Sequence, residues 1–583
     1  MILKLNLKLR ERPHDNRFED AAADPATAQR EVLRDLIARN ARTAFGREHG
    51  FASMRGPEDF RRMVPLRDYE AFRPYVRRID AGETAVLTAD PVNMLTTTSG
   101  TTGEPKLIPV TTPWREKMAG LMRLWYYRAM RQHPAMFDRK VLSIVSPAIE
   151  GHTPGGIPYG AMSGIVFKRT PWVVRNHYAV PYEVCLIQDY QARYFVTMRL
   201  ALAQSVSCLG TPNPTSLLRL AETGEKEAEA IIRAIRDGTL GIPEPPMHAS
   251  SGRLREQILG VIGKRLEADP GRARELERLV EHHGRLLPRD AWPELRLVAC
   301  WLGGSAGIHA KRLAWFYGDA PLRDLGLIAS EGRMTIPLAD GTAAGALAIH
   351  ANFYEFIPED GIEAGDPPVL LAHELELGKR YYIVLTTGNG LCRYDMNDIV
   401  EVQGFHHRTP QVAFIRKGRD MVSITGEKLH LNQIQAAVHE AEAAIGRHVW
   451  QFRLIPQAEE CVYDLLVEFG EPDPAEMDAS RFMAAYDAAL MQRNEEFKVK
   501  RKSGRLAPTR LHAMRTGWSE RLCAEEFRAG KREHQYKWQP LRPEWDDASR
   551  KEVVAVFAPG SAGILPAPQG TLHDAGDASA IPG

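Results

Sequence analysis

Apolar positions follow two different spacings along this chain, and the spacing changes from one segment to the next. In 114–133 and in 27–43, apolar side chains recur every three or four positions, which predicts amphipathic helices. Other stretches are short unbroken apolar runs, which favour buried strands: 141–145, 297–301 and 382–386. Because such runs stand between helical stretches, the body of the chain is predicted to be an α/β domain.

The pattern changes near residue 420, where a smaller α+β domain is predicted. Its predicted elements are a helix over 431–444, strands over 449–454 and 462–469, and a helix with an apolar face around Phe482–Leu490. The last residues are rich in Ala, Gly and Pro without periodicity, which predicts disorder. The expected division is a large domain over 1–415, a hinge at 416–420, a small domain over 421–545 and a disordered tail over 546–583.

Charge and cysteine content exclude several classes of function. Lys and Arg number 75 against 74 Asp and Glu, so neither nucleic acid nor an anionic membrane surface is an expected partner. The six cysteines form no C-x-x-C pair, which predicts a reducing compartment without a disulfide framework or zinc site. His152, His406 and His407 have no ligand at metal spacing and are expected to be loop histidines. With no apolar stretch of about 18 residues, we expect a cytoplasmic monomer without a transmembrane helix.

The most informative polar stretch is Thr96–Lys106, which combines hydroxyls, glycines and one lysine. Glycines let a backbone approach a ligand closely, and N–H groups, hydroxyls and an ammonium all bind phosphate oxygens. The stretch therefore predicts a polyphosphate loop. It is not the common P-loop, because Lys106 comes three residues after Gly103 rather than directly after it. The alternative is a polar surface turn.

A second motif, G-x-S-x-G at 303–307, favours a different class of enzyme. Its strand–turn–helix setting is that of a nucleophile elbow, and Asp324 and His373 follow Ser305 in hydrolase order. A serine hydrolase with Ser305 as nucleophile is therefore the main alternative. That alternative leaves the stretch Ser99–Lys106 without a role.

Single carboxylates and lysines complete the set of candidate residues. Glu331 follows an apolar run, and Asp398 lies at the end of another. A carboxylate can accept hydrogen bonds from both hydroxyls of a ribose. Lys537 lies near the end of the small domain. Taken one at a time, each of these residues is equally consistent with an exposed charged side chain.

The order and spacing of these motifs together resemble a known family. The stretch S-G-T-T-G-x-P-K resembles the phosphate loop of the adenylate-forming superfamily, and residues 28–542 resemble the auxin-responsive promoter family of acyl acid amido synthetases. The segments that carry the second resemblance are 40–51, 64–69, 292–295, 353–358, 390–394 and 535–537. The resemblance implies a large N-terminal domain of mixed sheets, helices and a β-barrel-like part, with a small mobile C-terminal domain.

The same resemblance implies a site for ATP and Mg²⁺. The ATP phosphates would be held by Ser99, Gly100, Thr101, Thr102, Gly103 and Lys106. The adenine and α-phosphate would be lined by Gly304, Ser305, Ile328, Ala329 and Ser330. Glu331 would hold the metal, Asp398 would bind the ribose, and Arg416 would lie at the hinge. The expected catalytic lysines are Lys106, Lys428 and Lys537, the last two reaching the site from the small domain.

Two positions depart from the family pattern. The usual Tyr-Arg-x-Gly-Asp is replaced by Tyr394-Asp395-Met396-Asn397-Asp398, which places an acidic residue where a basic one is usual. Because Asn tolerates the left-handed backbone, the turn is expected to survive. Ile328 stands where plant members have Tyr, so its contact with adenine would be apolar only.

The function implied is activation of a carboxylic acid as an acyl adenylate, followed by transfer to the amine of an amino acid. Its partners would be a small carboxylic acid and an amino acid. A coenzyme A ligase of the same superfamily, the serine hydrolase, and a nucleotide- or acyl-binding protein with little activity remain alternatives. The residues do not identify the acid.

Overall fold

The computed structural model describes residues 2–98, 106–243, 252–304, 306–362, 367–418, 421–470, 478–528 and 539–558. The chain divides into two compact units, Met1–Arg419 and Asp420–Gly583. The boundary between them falls within the segment expected to be a hinge. In the described part of the chain, no helix has the length and apolar character needed to cross a bilayer.

The first unit contains most of the helices and strands. Its helices are α1 (Ile2–Ala23), α2 (Pro25–Asn40), α3 (Ala44–Glu48), α4 (Pro57–Met63), α5 (Tyr69–Asp80), α6 (Thr112–Gln132), α7 (Met162–Arg169), α8 (Trp172–Arg175), α9 (Tyr190–Leu202), α10 (Pro214–Lys226), α11 (Ala228–Asp237), α12 (Gly252–Gly263), α13 (Pro270–His283), α14 (Pro288–Ala291), α15 (Ala306–Ala310) and α16 (Leu313–Tyr317). Its strands are β1 (Val92–Thr98), β2 (Lys106–Thr111), β3 (Lys140–Ser143), β4 (Gly151–His152), β5 (Pro158–Gly160), β6 (Val206–Gly210), β7 (Leu297–Ala299), β8 (Leu322–Arg323), β9 (Thr335–Pro337), β10 (Gly345–Leu347), β11 (Phe353–Pro358), β12 (Leu370–Leu371), β13 (Arg380–Thr386), β14 (Tyr394–His406) and β15 (Thr409–Lys417).

These strands form three sheets of different character. The order β3-β6-β7-β8 is parallel throughout. A seven-stranded sheet, β12-β11-β13-β14-β15-β10-β9, is antiparallel. The third sheet, β2-β1-β5-β4, carries the β1–β2 hairpin. The predicted α/β fold is therefore confirmed.

The apolar runs in the sequence become the buried strands of the parallel sheet. The strand β7 is buried along its whole length, as expected for a parallel strand covered on both faces. Because all four strands run in the same direction, the segments that follow them begin at the same edge of the sheet. The turns after β7 and β8, which carry Gly304 and Ile328, therefore start on one side.

The N-terminal helix α1 was not expected from the sequence. Its local pattern is weak and Pro13 lies inside it. Contacts distant in sequence hold it instead: Phe18 is buried in the core, and Glu11 forms an ion pair with Arg123 of α6 at 2.8 Å. Such contacts cannot be read from local periodicity. The helix predicted next, over 27–43, is confirmed as α2, which Asp24 caps.

The second unit has an α+β fold, as expected. Its elements are β16 (Met421–Val422), β17 (Leu429–His430), α17 (Leu431–Ile445), β18 (Val449–Gln457), β19 (Val462–Phe469), α18 (Ala479–Arg493), α19 (Glu495–Lys502), β20 (Arg510–Met514), α20 (Trp518–Arg528), α21 (Asp547–Arg550) and β21 (Val553–Phe557). The sheet order is β18-β19-β20-β21.

The expectation of a disordered tail from residue 546 is wrong for its first part. The strand β21 pairs antiparallel with β20 and extends the sheet. Its short apolar run was obscured by the Ala-, Gly- and Pro-rich composition around it, and its order depends on pairing with a distant strand. Residues 559–583 lie outside the described residues.

Candidate functional site

The site begins at the β1–β2 hairpin. Thr98 of β1 pairs with Lys106 of β2, and the expected phosphate-loop residues 99–105 connect them but lie outside the described residues. Tyr69 fixes the start of β2: its hydroxyl accepts a hydrogen bond from Leu107 N at 2.6 Å and donates to Leu107 O at 3.1 Å. Both bonds hold Leu107, so they fix the backbone directly after Lys106.

Lys106 lies beside a buried tyrosine and a buried carboxylate. Its ammonium donates to the Tyr394 hydroxyl at 3.2 Å, and that hydroxyl donates to Glu331 Oε1 at 3.1 Å. The ammonium also lies 5.7 Å and 5.8 Å from the ring centroids of Tyr69 and Tyr394, within cation–π range. Burial and the Glu331 carboxylate raise the pKa of Tyr394 well above its ordinary value, so the phenol remains a neutral donor.

A tight turn presents Ser330 and Glu331. Ala329 N donates to Gly332 O at 2.8 Å and Gly332 N donates back to Ala329 O at 3.2 Å, which closes the turn. The Ser330 hydroxyl donates to Thr97 O at 3.3 Å and so joins the turn to the end of β1. Glu331 is only 5% exposed. Thus the ends of β1 and β2, this turn and the first residue of β14 meet in one place.

The Gly-Gly turn after β7 lies against β15. A Cβ atom on Gly303 would lie 2.8 Å from Phe414 O, and one on Gly304 would lie 3.1 Å from Ile415 O. Gly304 also has φ of +56°, which favours glycine. Only glycine lets this turn approach the strand so closely. Ser305, the next residue, lies outside the described residues.

Asp324 fastens the Gly-Gly turn to the segment after β8. Its carboxylate accepts hydrogen bonds from Leu302 N at 2.6 Å and from Gly326 N at 2.5 Å. Burial raises the pKa of Asp324 to about 6. His373, the other expected hydrolase residue, is exposed on a short helix beside β12 in the antiparallel sheet. These contacts give Asp324 a structural role.

Asp398 lies on β14 opposite Lys417 of β15, and their side chains form an ion pair. The carboxylate is 3% exposed. Asp398 follows Tyr394 by four positions, so their Cα atoms are at most about 14 Å apart. Asp398 therefore lies on the same strand as Tyr394, whose hydroxyl contacts Lys106.

The departure at Asn397 is accommodated as predicted. Asn397 has φ of +56°, in the left-handed region. Its N–H donates to Asp395 Oδ1 at 2.8 Å, and its carbonyl accepts from Gly418 N at 2.7 Å. Asp395 thus stabilises the turn that presents Asp398, a role that the sequence alone did not indicate. Asp395 N is in turn bonded to Arg67 O at 2.8 Å.

Arg416 and Lys428 lie in different surroundings. Arg416 is exposed and forms an ion pair with Glu359 of the same unit. Lys428, in the second unit, has φ of +48°, and Asn494 Nδ2 donates to its carbonyl at 3.1 Å. Lys537 lies outside the described residues. The contacts of Tyr69, Tyr394 and Lys417 with site residues were not predicted, because side-chain pairing across a sheet leaves no mark in local sequence.

Comparison with known proteins identifies the family. Models of the GH3 family N-terminal, central and C-terminal domains match residues 15–322, 345–417 and 432–543. The chain is 27% identical over 462 residues to a jasmonoyl-L-amino acid synthetase of Nicotiana attenuata, covering 76% of this chain and 77% of that protein. It is 23% identical over 544 residues to an indole-3-acetic acid-amido synthetase of Arabidopsis thaliana, covering 89% and 90% of the two chains.

A solved structure supports the same fold. The solved structure of the acyl acid amido synthetase GH3.15 has a TM-score of 0.62 and 21% identity, with 93% of this chain and 96% of that chain covered. At this identity the likeness is one of fold. The three domain models together span most of the chain in order. On these matches, the chain belongs to the GH3 family.

Proposed function

We propose that this chain uses ATP to convert a carboxylic acid into an acyl adenylate and then transfers the acyl group to the amine of an amino acid. One observation carries the proposal: Lys106, Tyr394 and Glu331 are hydrogen-bonded in series, within a few residues of Asp398 on the same strand. These groups suit a nucleoside triphosphate: the Lys106 cation can bind phosphate, the buried Glu331 carboxylate can bind a metal ion, and the Asp398 carboxylate can accept hydrogen bonds from the ribose hydroxyls. The named activities of the relatives support the same chemistry.

The reaction needs activation because a carboxylate is a poor electrophile. A carboxylate oxygen of the acid attacks the α-phosphorus of ATP, and pyrophosphate leaves. The amine then attacks the acyl carbon of the mixed anhydride, AMP leaves with the bonding electrons, and the nitrogen releases one proton to give the neutral amide. Lys106 stabilises the charge that develops on the departing pyrophosphate, an electrostatic contribution that needs no protein nucleophile.

The residues present fit a magnesium ion at Glu331. Mg²⁺ is typically bound through one or two carboxylates together with substrate phosphates. Glu331 is buried, and its Oε1 accepts a hydrogen bond from the Tyr394 hydroxyl. Such a hydrogen bond orients a metal-binding carboxylate. When bound, the metal would neutralise negative charge on the phosphate oxygens.

The other proposed contacts follow the residues assigned above. Asp398 binds the ribose hydroxyls, and Gly304, Ile328 and Ala329 lie along the nucleotide. The small domain brings Lys428 and Lys537 to the site by rotation about 416–420, a hinge movement common in enzymes. Arg416, at the start of that segment, lies at the hinge and contacts ATP.

Acid-dependent exchange of labelled pyrophosphate into ATP tests the first step. The acid panel begins with jasmonate and indole-3-acetate, the acids named for the relatives. Exchange that depends on both the acid and Mg²⁺ is the expected result, and its absence across the panel would overturn the proposal.

The acceptor distinguishes the remaining classes of enzyme. With an active acid, amino acids are expected to give amides, whereas a thioester formed only with coenzyme A would assign the chain to the ligase alternative. Ester cleavage without ATP, together with fluorophosphonate labelling at Ser305, would instead indicate the hydrolase.

A further inference from the structure

Three side chains from distant parts of the sequence meet at the tip of the β14–β15 hairpin. His406 Nε2 lies 3.1 Å from both carboxylate oxygens of Glu19, and His407 Nε2 lies 2.6 Å from Glu19 Oε2. Glu19 belongs to α1, near the start of the first unit, whereas the two histidines lie near its end. One ligand atom from each of the three residues can be chosen so that all lie within 4.8 Å of one another.

The backbone turns both imidazoles to the same side. Adjacent residues of an extended strand direct their side chains to opposite faces. His407 instead has φ of +50°, an uncommon conformation for a residue other than glycine. The two ring centroids are 4.6 Å apart as a result. This is why the sequence pattern did not predict a site at two adjacent histidines.

The distances between these side chains are slightly shorter than those between two ligands of a tetrahedral metal ion. Zinc binds imidazole nitrogen and carboxylate oxygen at about 2.0–2.2 Å, so two tetrahedral ligands are about 3.3 Å apart. The observed nitrogen–oxygen distances of 2.6–3.1 Å require small shifts to admit an ion. His407 is exposed, which leaves a path for the ion from solvent.

Neighbouring groups already orient the ligands. Arg128 forms an ion pair with Glu19, and its charge is balanced by Asp15 at 2.6 Å. Phe18 stacks on His406, with ring centroids 5.7 Å apart and planes at 19°. Metal-binding carboxylates are commonly held by such outer partners. Here Arg128 binds Glu19 Oε1, whereas Oε2 lies beside both imidazoles, 3.1 Å from His406 Nε2 and 2.6 Å from His407 Nε2.

We propose that Glu19, His406 and His407 bind a zinc ion, with water as the fourth ligand, and that the ion fastens α1 to the hairpin. Two imidazoles with one carboxylate favour zinc over magnesium, which prefers oxygen ligands alone. The site lies at the far end of β14 from Asp398, eight positions or roughly 26 Å along the strand. It is therefore separate from the proposed nucleotide site and does not depend on the proposed function.

Calorimetric titration of zinc into the metal-stripped, untagged full chain tests the proposal. One ion is expected per chain, and cobalt in its place should give the visible absorption of tetrahedral coordination. His407→Asn removes a ligand while tolerating the left-handed backbone. Loss of a group that only hydrogen-bonds to a metal ligand weakens metal binding about 10–100-fold. Because His407→Asn removes a ligand itself, this variant should bind zinc at least about tenfold more weakly than the wild type.

His152→Asn is the matched control, because His152 is an exposed histidine on a different sheet. Its zinc affinity should equal that of the wild type. Zinc should also raise the Tm of the wild type and of the control, but not that of His407→Asn. The proposal is overturned if the wild type takes up no zinc, or if His407→Asn binds zinc as tightly as the wild type does.

Discussion

The hydroxyl of Tyr394 lies 3.2 Å from the Lys106 ammonium and 3.1 Å from the Glu331 carboxylate. Its ring is buried and its raised pKa keeps the proton in place. Two groups that are distant in sequence, the Lys106 ammonium and the Glu331 carboxylate, are thus held by a single oxygen. At the scale of single residues, the proposed function can be tested by substitutions that change only this hydroxyl or only the charge of Asp398.

Tyr394→Phe removes the hydroxyl and keeps the ring. We expect kcat/KM for pyrophosphate exchange to fall about 10–100-fold, because Lys106 and Glu331 lose the group that orients them. Tyr354→Phe is the matched control, since Tyr354 is also buried and donates to Met334 O on the antiparallel sheet. An equal loss of exchange in the control would show that the effect is not local to the site.

Asp398→Asn keeps the size of the side chain and removes its charge. The KM for ATP should rise about tenfold, because a neutral amide replaces charge-assisted hydrogen bonds to the ribose and leaves Lys417 without its carboxylate. Asp395→Asn is the control: an amide oxygen can still accept from Asn397 N, so its KM should stay close to that of the wild type. Equal KM values for the two variants would contradict the assignment of Asp398.

At the scale of elements, the turns after β7 and β8 depend on one carboxylate. Asp324 joins them through Leu302 N and Gly326 N. Its pKa is raised by burial from 3.8 to about 6, so the native state favours the protonated form. The stability contributed by that form is complete below about pH 4 and is lost as the pH rises through 6.

Asp324→Asn, which cannot ionise, isolates this contribution. The free energy of unfolding of the wild type relative to the variant should fall by about 3 kcal/mol between pH 4 and 7, the equivalent of a shift of roughly two pKa units. Denaturant unfolding at several pH values measures it. A difference that stays constant with pH would mean that Asp324 ionises freely in the folded protein.

The elements differ in how far the sequence could predict them. Apolar runs predicted β7 and β13, and helical spacing predicted α6 and α17, because burial of these elements follows from their own side chains. The helix α1 and the strand β21 depend on partners far away in sequence. The same limit applies to the sites: motif order indicated Lys106 and Glu331, whereas Lys417 and Glu19 reach their partners only through the fold.

At the scale of the whole molecule, the second unit extends beyond the boundary expected at residue 545. The residues after it are anchored by side chains as well as by β21. Asp546 forms ion pairs with Arg453 at 2.9 Å and Arg542 at 2.8 Å, and Trp518 Nε1 donates to Ser549 Oγ at 3.2 Å. The described segment that ends at 558 is therefore an integral part of the small domain.

A chain ending at Trp545 should have a less stable second unit. It loses β21, exposes the edge of β20 and leaves the buried Arg453 without its carboxylate, a loss of about 3–5 kcal/mol. A chain ending at Ala558 keeps every described element and serves as the control. Limited proteolysis and thermal unfolding compare them; equal resistance of the two chains would contradict the anchoring role.

The strand β14 spans Tyr394 to His406 and pairs with β13 as far as Glu401 and with β15 from Asp398 to His406. Its pairing with β15 already shifts register twice, between Ile399 and Val400 and between Val402 and Gly404, so one further inserted or deleted residue between Asp398 and Phe405 would change the faces that these shifts set. Natural length variation among homologues should therefore be absent from this interval and be confined to the hairpin tip.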